Sequence, residues 1–333
     1  MRHLVFIFTA LLFVGCASSE PDSYETSGEK TPLKSRADGS TSYENATEGN
    51  IIVAADESFR PIMEAMQEVY TLRHNKAKIK VVYLPAEEAI KALIESDSIR
   101  LAVVARTLRS DESDELISQN TSGKIKPIAQ DALALVVHSS NTISRINTDQ
   151  LSGIVSGEVT QWSELGLKNE QDLSLVFDHV SSSSIQFLRD SVLKGGAIAP
   201  KKGFAAGNTP DVIAYVSKNP QAMGIIGLGW ISDKDGSAAR ALRSQVKVLA
   251  MVPDGECPYE NDAYEPYQGP MKAGCYPLVR TVFAISREVD YGLGTGFINY
   301  MADASRGQRL VLKAGLIPAI APPRKLRFPV AGR

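Results

Sequence analysis

Four consecutive serines, Ser181 to Ser184, follow an apolar run that ends at Phe177. A helix cap uses one hydroxyl, so four in a row at a helix start supply more donors than capping needs. Ser181, Ser182 and Ser183 are therefore candidate ligand contacts. A second start of this kind is Glu57-Ser58-Phe59, directly after the apolar run Asn50–Ala55. Free backbone N–H groups at a helix start, with the helix dipole behind them, favour a small anion. Ser58 and Phe59 join the candidate set on that ground. Arg106 follows a third apolar run, Leu101–Ala105. Its guanidinium is placed either to grip an oxyanion with two parallel hydrogen bonds or to pair with Glu112 on the surface. Thr107 would donate beside it. Asp56, Glu57 and Asp178 are candidate acceptors for a protonated anion oxygen, since an unpaired carboxylate would repel a dianion.

Other chemistries find little support. There is no GxSxG, and His138 and His179 lack a Ser/Asp partner pattern, so no enzyme is expected. Four His and three Cys, without CxxC or HExxH, give no metal site, and no cofactor is expected. Gly292, Gly294 and Gly296 lack the strand-plus-acid context of a dinucleotide fingerprint and read as a turn before a helix near Gly296–Ala304. Trp162 and Trp230 read as core. A formal net charge of -2 gives no positive field for nucleic acid.

These candidates need elements to position them. Apolar runs alternate with helical periods: strands at Asn50–Ala55, Ile79–Tyr83 and Leu101–Ala105, helices at Arg60–Arg73 and Ala86–Ser96. Near-continuous apolar strands, in β-α-β-α-β order, imply a parallel sheet covered by helices. A second unit follows. Its strands are Ala132–Val137, Leu173–Phe177 and Ala222–Leu228, and its helices are Thr148–Val155, capped by Thr148, then Ser181–Leu193 and one within Asn208–Asn219. Val246–Val252, Leu278–Ser286 and a last helix, Gly307–Ala314, complete the pattern. Two α/β units meeting at strand ends leave a natural ligand cleft.

The N-terminus reads separately. Arg2 and His3 precede an apolar stretch, Leu4–Val14, too short to span a bilayer, and residues 12–16 read LFVGC. That run resembles the lipobox of bacterial lipoproteins, which makes 1–15 a signal peptide and Cys16 the lipidated residue. Residues 16–49 are polar and aperiodic and read as a flexible tether. Cys257 and Cys275 then remain. An oxidising compartment and an even count suggest a disulfide, with a metal or redox pair as the alternative. The bond would close a loop worth about 3 kcal/mol in the chain-entropy picture.

Three stretches carry a family resemblance. The first is Asp131–Val137 (DALALVV) with Asn141, Gln150–Gly157 (QLSGIVSG) and Gln161–Leu165 (QWSEL); the others are Asn219–Gly229 (NPQAMGIIGLG) and Cys275–Arg280 (CYPLVR). In this order they resemble the phosphate-binding proteins of phosphate ABC importers. Asp56–Phe59, Arg106–Leu108, Phe177-Asp178 and Gly292–Phe297 resemble a divergent branch among Bacteroidetes lipoproteins. The resemblance implies a type II periplasmic-binding-protein fold, two α/β lobes joined by hinge strands. Lobe I would be 50–128 plus the return 276–333, and lobe II 129–275. It implies a monomeric, lipid-anchored receptor on the periplasmic side that captures inorganic phosphate or a similar anion and delivers it to an ABC permease. The alternative is a binding or scaffold lipoprotein of the same fold with a changed or lost ligand. The family's phosphate-coordinating Arg would stand near Phe177, where this chain has none; Arg106 is the replacement available on this reading. Leu84-Pro85-Ala86-Glu87 stands in place of the family's Ser-Gly-Ser loop.

Overall fold

The computed structural model describes residues 31–32 and 43–323, apart from 122, 169 and 290. The expected signal peptide, Cys16 and most of the expected tether lie outside the described residues. The end of that tether departs from expectation. Tyr43–Glu44 pairs with Thr31–Pro32, Asn45 and Glu48 exchange backbone hydrogen bonds, and the Tyr70 hydroxyl donates to the Ala46 carbonyl. Gly296 makes this close approach possible, because a Cβ there would stand 2.1 Å from the Ala46 oxygen. The packed body therefore begins before Asn50.

The chain builds β1 (Gly49–Asp56), α1 (Arg60–Arg73), β2 (Ala77–Leu84), α2 (Ala86–Glu95), β3 (Ile99–Val104) and α3 (Ser110–Ser118). Next come β4 (Lys124–Val137), α4 (Thr148–Ser156), β5 (Ser174–Phe177) and α5 (Ser183–Phe187), the last continuing as a π-turn, Leu188–Val192. β6 (Gly203–Ala205), α6 (Thr209–Val216), β7 (Ala222–Gly227) and α7 (Ser237–Arg243) follow. β8 (Val279–Ser286), α8 (Leu293–Ala302) and α9 (Gly307–Lys313) close the chain. The main sheet runs β2-β1-β3-β8-β4-β7-β5-β6, with further short strands paired to β4.

The β1, β2 and β3 strands are mutually parallel, as their largely apolar sequences imply, and so are β7, β5 and β6. Ile51, Val53, Leu101 and Val103 join a core shared with α1, while Ala54, Ala102 and Val104 pack with Ile90 and Leu93 of α2. Alternation along one strand thus feeds two layers.

β4 joins the halves. Its residues Lys124–Ala132 pair antiparallel with β8, and Leu133–Val137 pair with β7. It is longer than the apolar signal Ala132–Val137 because its polar first turns also find a partner, in β8. Two further differences have local causes. Asn147, not Thr148, caps α4: its side chain accepts from the Gln150 N–H while Gln150 accepts from the Asn147 N–H. The helix expected near Gly296 opens at Leu293, because the Glu288 carboxylate accepts from the N–H groups of Gly294 and Thr295. Gly294 and Gly296 are thus inside the helix rather than in a turn before it. Cys257 and Cys275 form a disulfide with Cα atoms 5.3 Å apart, which decides between the two readings of that pair.

Candidate anion site

Three strand ends and two helix starts meet at one buried cluster. β1 ends at Asp56, which turns the chain into a short 3-10 turn, Glu57–Phe59, leading into α1. The Asp56 carboxylate caps this turn by accepting from the Ser58 N–H at 2.9 Å through Oδ1. Its Oδ2 accepts from the Ser183 N–H at 3.0 Å, at the start of α5. One carboxylate therefore serves both helix starts, one from each side of the β4 crossing. β5 ends at Phe177, and Asp178 follows it into the same cluster. Its carboxylate lies 3.4 Å from the Ser58 hydroxyl, which is also 3.4 Å from the Ser184 hydroxyl.

The cation of this cluster is Arg280. It lies on β8 directly opposite Asp131 of β4, and both side chains are 1% exposed. Its Nε and Nη2 donate to Asp131 Oδ2 at 3.1 and 2.9 Å, and its Nη1 donates to the Ser183 hydroxyl at 2.9 Å. Its Cζ stands 4.9 Å from the centre of the Phe59 ring, a cation–π distance. Gly227, the last residue of β7, makes room: a Cβ there would stand 3.0 Å from Ser58 Cβ and 3.3 Å from Arg280 Nη2.

The structure brings Ser58, Phe59, Ser182, Ser183 and Asp178 together, all buried. Ser182 is the N-cap of α5, its hydroxyl accepting from the Ile185 N–H. Ser181 stands apart, with its N–H and hydroxyl on His179 Nδ1. Arg106 is placed differently from the clamp reading. It makes two 2.6 Å hydrogen bonds to Glu112 and a 3.1 Å bond to Glu87, and Arg109 joins the same pair of carboxylates. Both Nη groups of Arg106 are thus committed to carboxylates, and its Nε is buried. Thr107 is exposed, its carbonyl accepting from Arg106. This network still reaches the second half of the protein, since Gln186 of α5 donates to Glu87 at 2.7 Å.

Glu57 makes its own crossing, accepting from the Thr209 hydroxyl at the start of α6 at 3.0 Å. Burial pushes the Glu57 carboxyl up to about 7, against the hydrogen bond from Thr209 and with the help of Asp178 and Asp56 nearby. Burial likewise pushes Asp178 up to about 6, with the Asp56 charge adding to it. Burial also raises Asp131, against the pull of Arg280. Four carboxyl groups, those of Asp56, Glu57, Asp131 and Asp178, thus crowd the region around one guanidinium. Trp162 is buried and donates to the Gln221 carbonyl, while Trp230 is half-buried and donates to the Glu57 carbonyl.

Asp131, Arg280, Gln186 and Thr209 lie outside the candidate set read from sequence. For Arg280 a signal existed: it ends the CYPLVR stretch and is the charged residue of a mostly apolar strand.

This architecture has known counterparts. A Clostridium perfringens protein, described as a phosphate ABC transporter substrate-binding protein and solved with bound phosphate, superposes with a TM-score of 0.66 at 21% identity, over 82% of this chain and 100% of that one. An ABC-type phosphate transport receptor from Vibrio cholerae gives 0.61 at 19% identity, over 81% and 100%. The fold is therefore the expected type II periplasmic-binding-protein fold. Among curated proteins, the phosphate-binding protein PstS of Staphylococcus aureus strain RF122 is 24% identical over 231 residues, 68% of this chain and 65% of its own length. That of strain USA300 is 25% identical over 178 residues, 53% of each chain. The chain thus spans under two thirds of the length of these curated relatives. The PBP superfamily domain model matches residues 40–305, most of the sequence, and the chain belongs to that superfamily.

Proposed function

We propose that this protein captures phosphate, or a similar small oxyanion, between its two α/β halves and delivers it to an ABC permease. One observation carries the reading. A fully buried guanidinium, Arg280, is held by Asp131 so that its remaining Nη1 points at the serines opening α5. Pre-fixing a fork in this way lowers the ordering cost of gripping an oxyanion. The two helix starts add backbone N–H groups that now bond to Asp56. A guest anion would take over those donors as the halves part and reclose, and Asp56 or Asp178 would accept from its protonated oxygen. The names of the relatives and of the superposed proteins point to the same ligand.

On this reading, residues 50–128 and 276–333 form lobe I, and 129–275 form lobe II. β4 and the segment from Tyr276 to Arg280 act as the hinge, and closure follows from the ligand's preference for the closed arrangement. The protein works as a non-enzymatic receptor, held outside the cytoplasm by a lipid on Cys16. Among the described residues no helix is long and apolar enough to cross a membrane.

A second reading has an observation of its own. Asp56 already accepts from one N–H of each helix start, Arg280 Nη1 already donates to the serines, and the Asp178 carboxyl lies close to Arg280. That crowding favours a scaffold or binding lipoprotein whose ligand has changed. Calorimetric titration of the chain from residue 17 onward separates the two. Orthophosphate binding at about micromolar affinity or tighter, near 8 kcal/mol, supports the receptor. No heat with phosphate or sulfate supports the second reading.

A further inference from the structure

A cavity of about 280 Å3, lined by none of the serines of the anion site, lies between the turn that follows β7, a segment inside the disulfide loop and the end of α9. Leu228, Ile231 and Pro266 supply its apolar wall, and Lys234, Arg243 and Tyr267 its polar rim. The charges are unequal. Arg243 is matched by Glu265, with Nη2 to Oε2 at 2.6 Å, and it also donates to the Tyr267 hydroxyl at 3.3 Å. Lys234 has no carboxylate within ion-pair reach among the described residues, and its Nζ stands 5.3 Å from the Tyr267 ring centre. The space therefore offers one cation without a carboxylate partner among the described residues, an aromatic ring that Lys234 and Arg243 both approach, and an apolar floor. Gly315, with φ of +80°, closes the remaining side against Ser232, where a Cβ would stand 2.8 Å from the serine Cβ.

We propose that this cavity is a second ligand site, which takes a small monocarboxylate with a flat apolar body. The carboxylate meets Lys234, and the body lies between Tyr267 and the Leu228–Ile231 wall. A bare inorganic anion would leave that wall wet, and a neutral apolar guest would leave Lys234 without a counter-charge. The cavity volume suits a single ring with one acidic group, at the small end of ordinary ligand pockets.

The test uses benzoate as the probe and acetate as the control of equal charge. Trp230 fluorescence serves as a readout beside calorimetry, since Trp230 belongs to the turn that carries Leu228. Benzoate should bind the full chain at about millimolar affinity or tighter, the range that nine non-hydrogen atoms permit. Acetate should bind at least about tenfold more weakly, because it lacks the buried apolar area. Lys234→Gln should weaken benzoate by about tenfold or more, as loss of a charge-assisted hydrogen bond does, and Lys234→Glu should abolish binding. Lys234 is exposed, so neither variant threatens folding. Absence of benzoate binding to the unaltered chain, equal affinity for acetate, or benzoate binding that survives Lys234→Glu would each overturn the proposal.

Discussion

Arg280 and Asp131 face each other across the β4–β8 pairing at the point where β4 passes from one half of the protein to the other. The pair is a structural joint and, through Nη1, the charge of the candidate site. Its two roles separate by experiment. Removing one partner of a buried ion pair strands the other charge and costs about 3–5 kcal/mol, whereas replacing both with apolar groups of similar volume is often neutral. Arg280→Met should therefore lower stability sharply in denaturant unfolding, and Asp131→Leu/Arg280→Met should restore much of it. Phosphate binding should be lost in both. Recovery of binding in the double variant would remove Arg280 from the site.

The serine run divides between two tasks, so its members should differ under substitution. Ser183 presents its N–H to Asp56 and its hydroxyl to Arg280, while Ser181 turns its hydroxyl to His179. Ser183→Ala should weaken phosphate at least about tenfold, since it removes a partner of the buried guanidinium. Ser181→Ala should change affinity by less than about threefold. Calorimetry on the two variants checks the contrast, and equal effects would mean that the whole run, not its buried part, addresses the guest.

The sequence made the frame legible because two of its strands are apolar without interruption. Asn50–Ala55 and Leu101–Ala105 each needed cover on both faces, and that need implied a parallel sheet with helices around it. It also made both helix starts legible, since Ser58 and Ser181–Ser184 are local signals. The rest of the site is non-local. Arg280 and Asp131 are 149 residues apart in sequence, and only the β4–β8 register sets them opposite each other. Arg106 left two readings open for a related reason: a cation at a strand end looks the same whether its partner is a guest or Glu112. Glu112 sits two positions into α3 and reaches back to Arg109 as well. Only side-chain direction distinguishes the two roles.

Arg106 accordingly should behave as a structural residue. It ties Glu112 to Glu87, and Glu87 holds Gln186 of the other half. Arg106→Ala should cost about 1.5–3 kcal/mol of stability through loss of charged hydrogen bonds. Phosphate affinity should fall by less than about threefold, through slacker closure only. Parallel melting and titration curves test this, and a loss of binding with unchanged melting would return Arg106 to the anion site.

The acidic cluster sets a pH signature with a definite sign. Glu57 rises from an ordinary 4.5 to about 7 and Asp178 from 3.8 to about 6, in both cases through burial first. Between the unfolded and folded values the native state binds more protons than the unfolded chain, so this share of stability is full below about pH 4 and fades as pH climbs through 7. Glu87 and Glu112 oppose it. Burial pushes both up, but the hydrogen bonds and charges of Arg106 and Arg109 outweigh it and hold both below the usual range, so their contribution is lost as pH falls. Comparison with Glu57→Gln isolates the first effect. The substituted amide keeps an acceptor for Thr209 but has no charge to bury beside Asp56 and Asp178, and Arg60, 4.0 Å from Glu57, is itself partly solvated. The variant should match the wild-type melting temperature near pH 5 and exceed it near pH 8, by about 1–3 kcal/mol in unfolding free energy. An equal gap at both pH values would show that Glu57 titrates alike in the folded and unfolded chain.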